Sequence, residues 1–272
     1  MRCVNVMQCG VVVDWLANRC GVDYWSYAIV PLAGALAGFI NAMAGSGSLL
    51  TLPALMVAGL DSGVANGANR IGILLQSATS FATYWRKGVR GFLPIMPLAL
   101  PAMLGGIGGA LFAVRVPSEV LDRVIGVLLL AMVGLMFFDS SRWKGEARPV
   151  DCAMLRRPWL WVAFVGIGFY GGFIQVGSNF FILLALIYLG GMDLLHANAF
   201  KLLVQLAFTV VVLPIYIYHG RVHWPLALLL SAGSMLGAWI GVNVAVRGGG
   251  KLIRWVIIAV VSLFAVRLLL WS

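Results

Sequence analysis

Residues 34–66 read GALAGFINAMAGSGSLLTLPALMVAGLDSGVAN, and residues 166–198 read GIGFYGGFIQVGSNFFILLALIYLGGMDLLHAN. The second stretch repeats the first at an offset of 132 without a gap. Matched pairs along it include Gly45-Ser46 with Gly177-Ser178, Asp61 with Asp193, Ala65-Asn66 with Ala197-Asn198, and Tyr84 with Tyr216. A duplication inside a strongly apolar chain is typical of secondary transporters, in which two similar bundles meet around a central site.

The composition places the chain in a membrane. Hydrophobic residues make up 62% of the 272 residues, charged residues only 10%, and the mean hydropathy is +0.99, which excludes a soluble globular domain. Several apolar stretches reach the roughly 20 residues that a helix needs to cross the bilayer, and they do not alternate as barrel strands would. We therefore predict an all-α integral membrane protein of about eight transmembrane segments in two homologous four-segment repeats.

The predicted organisation has four parts. They are an N-terminal tail at 1–26, a first transmembrane repeat at 27–138, a polar linker at 139–157 and a second repeat at 158–272. The first repeat contains a long block followed by spans near 69–85, 92–114 and 120–138. The second contains a long block from Pro158 to Gly190 and spans near 199–217, 224–246 and 251–270.

The first segment of each repeat is predicted to be broken or re-entrant. The block from Tyr27 to Leu60 would be about 50 Å long as one helix, well beyond the membrane thickness. Glycines at its middle, around Ser46, lower helix propensity, and Ser178 lies at the matching place. Blocks that cross give four crossings per half and parallel repeats, whereas re-entrant hairpins give three and inverted repeats. We favour eight crossings with a cytoplasmic N-terminus.

Candidate substrate-binding residues cluster at the breaks and just after them. An unwound backbone frees amide N–H groups, and the positive end of a half-helix favours an anion. The candidates at the breaks are Ser46, Ser48, Ser178 and Asn179. Those on the following helices are Asn66, Asn69, Arg70, Gln76, Asn198, Lys201 and Gln205. Small residues at the breaks could instead serve close packing, and the two cations could snorkel to the surface.

Other features of the sequence are interpreted as structural and not as parts of the binding site. Asp61 and Asp193 precede helices and are interpreted as N-caps, while Gly105-x3-Gly109 and Gly237-x3-Gly241 are interpreted as close-packing surfaces. His219 and His223 lack a third partner for a metal, so no metal or other cofactor is expected. Basic residues lie in short connections, where they set topology and contact lipid headgroups, so the net charge of +10 does not indicate nucleic acid. No enzyme motif is present, and a homo-oligomer is compatible with the sequence.

Three motifs resemble the sulfite exporter TauE/SafE family, also called the toluene sulfonate uptake permeases. They are Ala65-Asn66-Gly67-Ala68-Asn69-Arg70 leading to Leu74-Leu75-Gln76-Ser77, the glycine-rich break followed by Leu52-Pro53-Ala54-Leu55, and Tyr170-Gly171-Gly172-Phe173 with Gly177. The chain departs from the family pattern at Ser46, Ser48, Ala68, Gln175, Asn179 and Phe200. The resemblance covers about residues 28–270 and implies a duplicated permease of the bacterial inner membrane.

The function expected from these features is a secondary transporter, a multi-pass protein of the cell inner membrane that exports a small anion. Sulfite, a sulfonate or another organic anion is the substrate class that the resemblance implies. The alternatives are a channel-like or metal-ion pathway, and a membrane subunit with no transport activity. The lipid bilayer and the anion are the expected partners.

Overall fold

The computed structural model of the protein describes residues 25–43, 45, 47–90, 93–136 and 155–270, and every regular element within these ranges is helical. The predicted tail and linker lie outside them apart from a few residues at their ends, and Ser46 lies outside them as well. The described helices are α1 (Ser26–Met43), α2 (Ser48–Val57), α3 (Ser62–Arg86), α4 (Ala99–Ala113), α5 (Ser118–Met136), α6 (Pro158–Phe173), α7 (Ser178–Leu184), α8 (Leu194–Tyr218) and α9 (Trp224–Leu270). A 3₁₀ turn (Leu93–Leu98) precedes α4, and a π-helical turn (Ala185–Leu189) continues α7.

Both long blocks are broken where the sequence predicted a break. α1 ends at Met43 and α2 begins at Ser48, with Gly45 between them at a φ of 84° that favours glycine. The chain then doubles back and brings Gly47 against the carbonyl of Ala37 in α1. The contact is so close that a β-carbon at Gly47 would not fit. We call α1 and α2 the first hairpin.

The second block folds in the same way. α6 ends at Phe173 and α7 begins at Ser178, after Gly177 at a φ of 71°. The two ends of the block lie side by side, since the Arg157 guanidinium donates to the carbonyl of Leu189 at 2.6 Å. We call α6, α7 and the π-turn the second hairpin.

The first helix of each hairpin packs against one helix of the other half of the chain, α1 against α9 and α6 against α4. Gly233, Gly237 and Gly241 of α9 lie in turn against the carbonyls of Pro31, Ala35 and Phe39 of α1, so α1 and α9 run parallel. Gly105 and Gly109 of α4 meet the carbonyls of Val165 and Phe169 of α6 in the same manner. These contacts leave no room for a β-carbon, which confirms the close-packing interpretation of both glycine pairs.

The central helices α3 and α8 run antiparallel. Asn66, near the start of α3, contacts Tyr216 near the end of α8, and Asn198, near the start of α8, contacts Tyr84 near the end of α3. The parallel arrangement favoured from the sequence requires these matched helices to run in one direction, so it is wrong. The sequence could not reveal this, since an apolar pattern records the length of a helix but not its direction.

The gapless register is also wrong at the breaks. α1 ends at Met43 and α6 ends at Phe173, which are 130 residues apart. The starts of α2 and α7 are also 130 residues apart, whereas the starts of α3 and α8 are 132 residues apart. Ser48 therefore matches Ser178, and Ser46 does not. The second hairpin accommodates the two additional residues in the helix that follows its break, where the π-turn lies.

The described ranges contain three helices long and apolar enough to cross a membrane, namely Ile95–Ala113, Leu194–Tyr218 and Trp224–Gly248. α3 has a comparable length of 25 residues but carries several amides and an arginine, and it is not among the three. The prediction of separate spans at 224–246 and 251–270 is wrong, since α9 runs without a break through Gly248, Gly249 and Gly250. Glycine lowers helix propensity there but leaves the backbone hydrogen bonds available.

Candidate functional site

The two breaks lie against each other in the interior. Gly45 packs on the backbone and side chain of Asn179. The Ser48 hydroxyl donates to the carbonyl of Gln175 at 3.4 Å and accepts from the Gly177 amide at 3.1 Å. Ser48, Ser178 and Asn179 are therefore brought together, and all three are buried.

A matching pair of hydrogen-bond sets holds the ends of the broken helices. The Asn66 amide donates to the last carbonyl of α6, at Phe173, at 2.9 Å and to the Tyr216 hydroxyl at 3.0 Å. The Asn198 amide donates to the carbonyl of Ala42 near the end of α1 at 2.6 Å and to the Tyr84 hydroxyl at 2.9 Å. Carbonyls at the end of a helix have no partner within it, so these amides satisfy groups that would otherwise be buried unpaired.

The two cations lie beside the same helix ends. The Arg70 guanidinium donates to the carbonyls of Gly171 at 3.1 Å and Gly172 at 2.6 Å, both in the last turn of α6. The Lys201 ammonium donates to the carbonyl of Asn41, in the last turn of α1, at 3.1 Å. Both side chains are 0% exposed, so the alternative that they snorkel to the surface is wrong. A cation at the negative end of a helix is stabilised by the helix dipole.

Asn41 connects several of the candidate residues, and the sequence analysis missed it. Its amide donates to the Gln76 side chain at 3.3 Å, and its side-chain oxygen accepts from Asn179 at 3.1 Å. Its backbone carbonyl accepts from Lys201. Asn41 has no polar counterpart in the second half, so the duplication did not mark it; an amide just before a glycine-rich break in an apolar block was the signal available.

A second polar group surrounds Ser178. Its hydroxyl has two acceptors for its one hydrogen, the carbonyl of Gln175 at 3.1 Å and the side-chain oxygen of Gln205 at 3.3 Å. Gln205 and Gln175 both donate to the Thr209 hydroxyl, at 3.3 Å and 3.4 Å. Gln175 and Thr209 were not among the predicted site residues. Thr209 lies on the same stripe of α8 as Asn198 and Gln205, which periodicity could have shown.

Several buried polar atoms have no hydrogen-bond partner within the described part of the chain. On α2 the Thr51 hydroxyl is one of them. On α3 they are Asn66 Oδ1, both polar atoms of the Asn69 side chain, Arg70 Nε, Gln76 Nε2, and the hydroxyls of Ser77 and Ser80. Helical spacing places Asn69, Gln76 and Ser80 on one stripe of α3. Buried polar groups are normally paired, so these atoms have hydrogen-bonding capacity that the described part of the chain does not use.

The described carboxylates lie at helix starts and not at the breaks, where the amides, hydroxyls and cations lie. Those that the structure describes are Asp61, Glu119, Asp122 and Asp193, and each lies at or near the start of a helix. Asp61 accepts from the amide of Val64, and Asp193 accepts from the amides of Leu195 and His196, which confirms both as N-caps. Burial acts to raise the pKa of Asp193, but the hydrogen bonds from His196 and Leu195 and the charge of His196 together outweigh it and lower that pKa below its ordinary value. Within the described ranges, no group of three metal-binding side chains is present.

Comparison with known proteins shows that the chain is similar to membrane transporters. The sequence model of the family described as "Sulfite exporter TauE/SafE" matches residues 30–268. The "Probable membrane transporter protein ORF9" of Sinorhizobium sp is 30% identical over 89% of this chain and 92% of its own. The "Probable membrane transporter protein YfcA" of Escherichia coli K12 is 30% identical over 86% of each chain. A "Probable membrane transporter protein" of Haemophilus influenzae is 28% identical over 86% of this chain and 90% of its own. No solved structure matches the chain significantly.

Proposed function

The chain belongs to the sulfite exporter TauE/SafE family of membrane transporters, and from this premise we propose that it exports a small anion across the bacterial inner membrane. The candidate substrates are sulfite, a sulfonate or another small organic anion. The observation that carries the proposal is the buried contact between the two breaks, where amides, hydroxyls and two cations converge.

The charge of this interior favours an anion. Arg70 and Lys201 are fully buried, and no carboxylate of the described residues lies among the amides and hydroxyls at the breaks. Cations within a membrane-spanning bundle are costly and are usually retained for function. An anion bound near this positive charge lowers that cost, whereas a cation would raise it, so the metal-ion pathway is the weaker alternative.

The proposed arrangement is two inverted repeats, each with a re-entrant hairpin before its crossing helices. It is supported by the antiparallel directions of α3 and α8 and by the reversal of the chain within each hairpin. In such carriers the substrate binds where broken helices meet at the repeat interface, and the two sides open alternately. The site proposed here comprises Ser48, Asn69, Gln76, Ser178, Asn179, Lys201 and Gln205, with Asn66, Arg70 and Asn198 holding the hairpin ends.

Export is the direction that the membrane potential favours. Moving one negative charge outward across an inside-negative potential of 100 mV gains about 2.3 kcal/mol. The two carboxylates inside a described helix, Glu119 and Asp122, are exposed in the first turns of α5 and lie away from the breaks, so the potential is the simplest driving force.

The test uses purified protein in liposomes loaded with labelled sulfite, a sulfonate or a carboxylate. We expect efflux of at least one of them to increase when the lumen is made negative, and to show counterflow, which a channel does not support. Ionic current without counterflow would favour the channel-like alternative. If folded protein carries none of the anions, the proposal fails and a subunit without transport activity becomes the better account.

A further inference from the structure

The two buried cations differ in the number of groups that compensate their charge. The Arg70 guanidinium donates to two carbonyls and to the Tyr216 hydroxyl at 3.0 Å, and it lies 4.2 Å from the centre of the Tyr216 ring, although its Nε has no partner among the described residues. The Lys201 ammonium has three N–H donors, but the structure records one acceptor for it, the carbonyl of Asn41. The charge of Lys201 is therefore the less compensated of the two.

Further unused donors lie around the same residue. Asn41 contacts Gln76 through its side chain and Lys201 through its carbonyl, so Gln76 and Lys201 pack against the same buried residue. The Nε2 amide of Gln76 has no partner within the described part of the chain. The unfilled groups are thus N–H donors on a cation and on an amide, which oxygen atoms of an oxyanion accept.

We propose that Lys201 is the counter-charge of the transported anion, and that the site formed with Asn41 and Gln76 takes a singly charged oxyanion. The inference rests on the proposed function and narrows it. One uncommitted cation neutralises one negative charge, and a second negative charge would remain uncompensated in a site shielded from water. Arg70 is already occupied by carbonyls and acts as a positioning residue for the second hairpin.

Transport with matched anions tests the charge. Methanesulfonate carries one negative charge and sulfate carries two. We expect wild-type counterflow of methanesulfonate to exceed that of sulfate at least tenfold. Lys201→Gln should raise the apparent KM for methanesulfonate at least tenfold, Lys201→Arg should recover part of the loss, and Lys87→Gln, which removes an exposed positive charge, should have no effect.

The outcomes distinguish failure of this inference about Lys201 from failure of the proposed function, anion transport. Methanesulfonate transport with unchanged kinetics in Lys201→Gln, or equal transport of sulfate, overturns the inference and leaves anion transport standing. Failure of folded wild-type protein to carry either anion, or any other in the panel, removes both.

A stability measurement in detergent without substrate provides an independent test. Removing an uncompensated buried charge relieves its desolvation cost, whereas removing a well-paired one leaves its partners unsatisfied. We expect Lys201→Met to raise the unfolding midpoint and Arg70→Met to lower it. Added methanesulfonate should raise the midpoint of wild-type protein but not of Lys201→Met. If Lys201→Met lowers the midpoint as Arg70→Met does, Lys201 serves only to cap α1 and the inference is wrong.

Discussion

Asn66 of α3 and Tyr216 of α8 are joined by a hydrogen bond of 3.0 Å, although 150 residues separate them in the chain. Asn198 and Tyr84 form the matching bond at 2.9 Å. Each asparagine also binds a carbonyl at the end of a broken helix from the other half of the chain. The broken helix end within each hairpin is therefore held by side chains of both central helices, α3 and α8.

These asparagines should contribute similarly to stability. We expect Asn66→Ala and Asn198→Ala each to lower the free energy of unfolding by about 1–3 kcal/mol, because each change leaves a buried carbonyl and a tyrosine hydroxyl short of a donor. Thermal unfolding in detergent measures the effect. Asn243→Ala is the control, since Asn243 donates only to a carbonyl of its own helix. Effects no larger than those of the control would contradict the role of Asn66 and Asn198 in holding the broken helix ends.

The direction of the repeats can be tested by labelling. Lys87 and His219 are exposed, follow α3 and α8 respectively, and occupy matching positions at the offset of 132. After replacement of the four native cysteines by serine, Lys87→Cys and His219→Cys should react with a membrane-impermeant thiol reagent from opposite sides of the membrane. Reaction of both from the same side would support parallel repeats instead.

Two glycines of α6 offer a matched test of the helix packing. A β-carbon at Gly168 would collide with the backbone of Ala102 in α4, whereas Gly166 has nothing within 4 Å. We expect Gly168→Ala to lower the free energy of unfolding by about 1–3 kcal/mol. Gly166→Ala should be neutral or slightly stabilising, because alanine favours the helix. Equal effects at the two positions, measured by unfolding midpoints, would contradict the close contact of α4 and α6.

The N-cap of α8 predicts a dependence of stability on pH. The folded-state pKa of Asp193 is lowered, so its carboxylate stabilises the protein at neutral pH, and this contribution is lost as the pH falls through the lowered value, below the ordinary 3.8. Asp193→Asn retains a capping oxygen but not the charge paired with His196. We expect the variant to be less stable than wild type at pH 7, and the difference to shrink below about pH 4. A difference that does not change with pH would exclude the charge as its cause.

Much of the architecture could be predicted from the sequence for definite physical reasons. The excess length of the two apolar blocks and their central glycines indicated the breaks, and the breaks lie at Gly45 and Gly177. Apolar length also located α4, α5 and α8, because the bilayer sets that length. Helix direction and the exact register are set by tertiary contacts, so the parallel arrangement and the pairing of Ser46 with Ser178 were wrong.

The candidate residues were found where polar side chains interrupt apolar helices, as with Asn66, Gln76 and Lys201. Their partners were not found, since a residue such as Asn41 has meaning only through the contacts that folding creates. The same limit applied to Arg70, whose acceptors are backbone carbonyls of another hairpin. A sequence does not reveal which carbonyls lack a partner.

The unequal hold on the two hairpins has a consequence for the resting state of a carrier with inverted repeats. If both hairpins were held identically, the inward-open and outward-open forms would have equal free energy, and neither would dominate at zero potential. Two hydrogen bonds from Arg70, to the carbonyls of Gly171 and Gly172, hold the second hairpin, and one from Lys201 holds the first. We therefore expect the empty protein to rest facing one side of the membrane, with the first hairpin being the one that is released more easily.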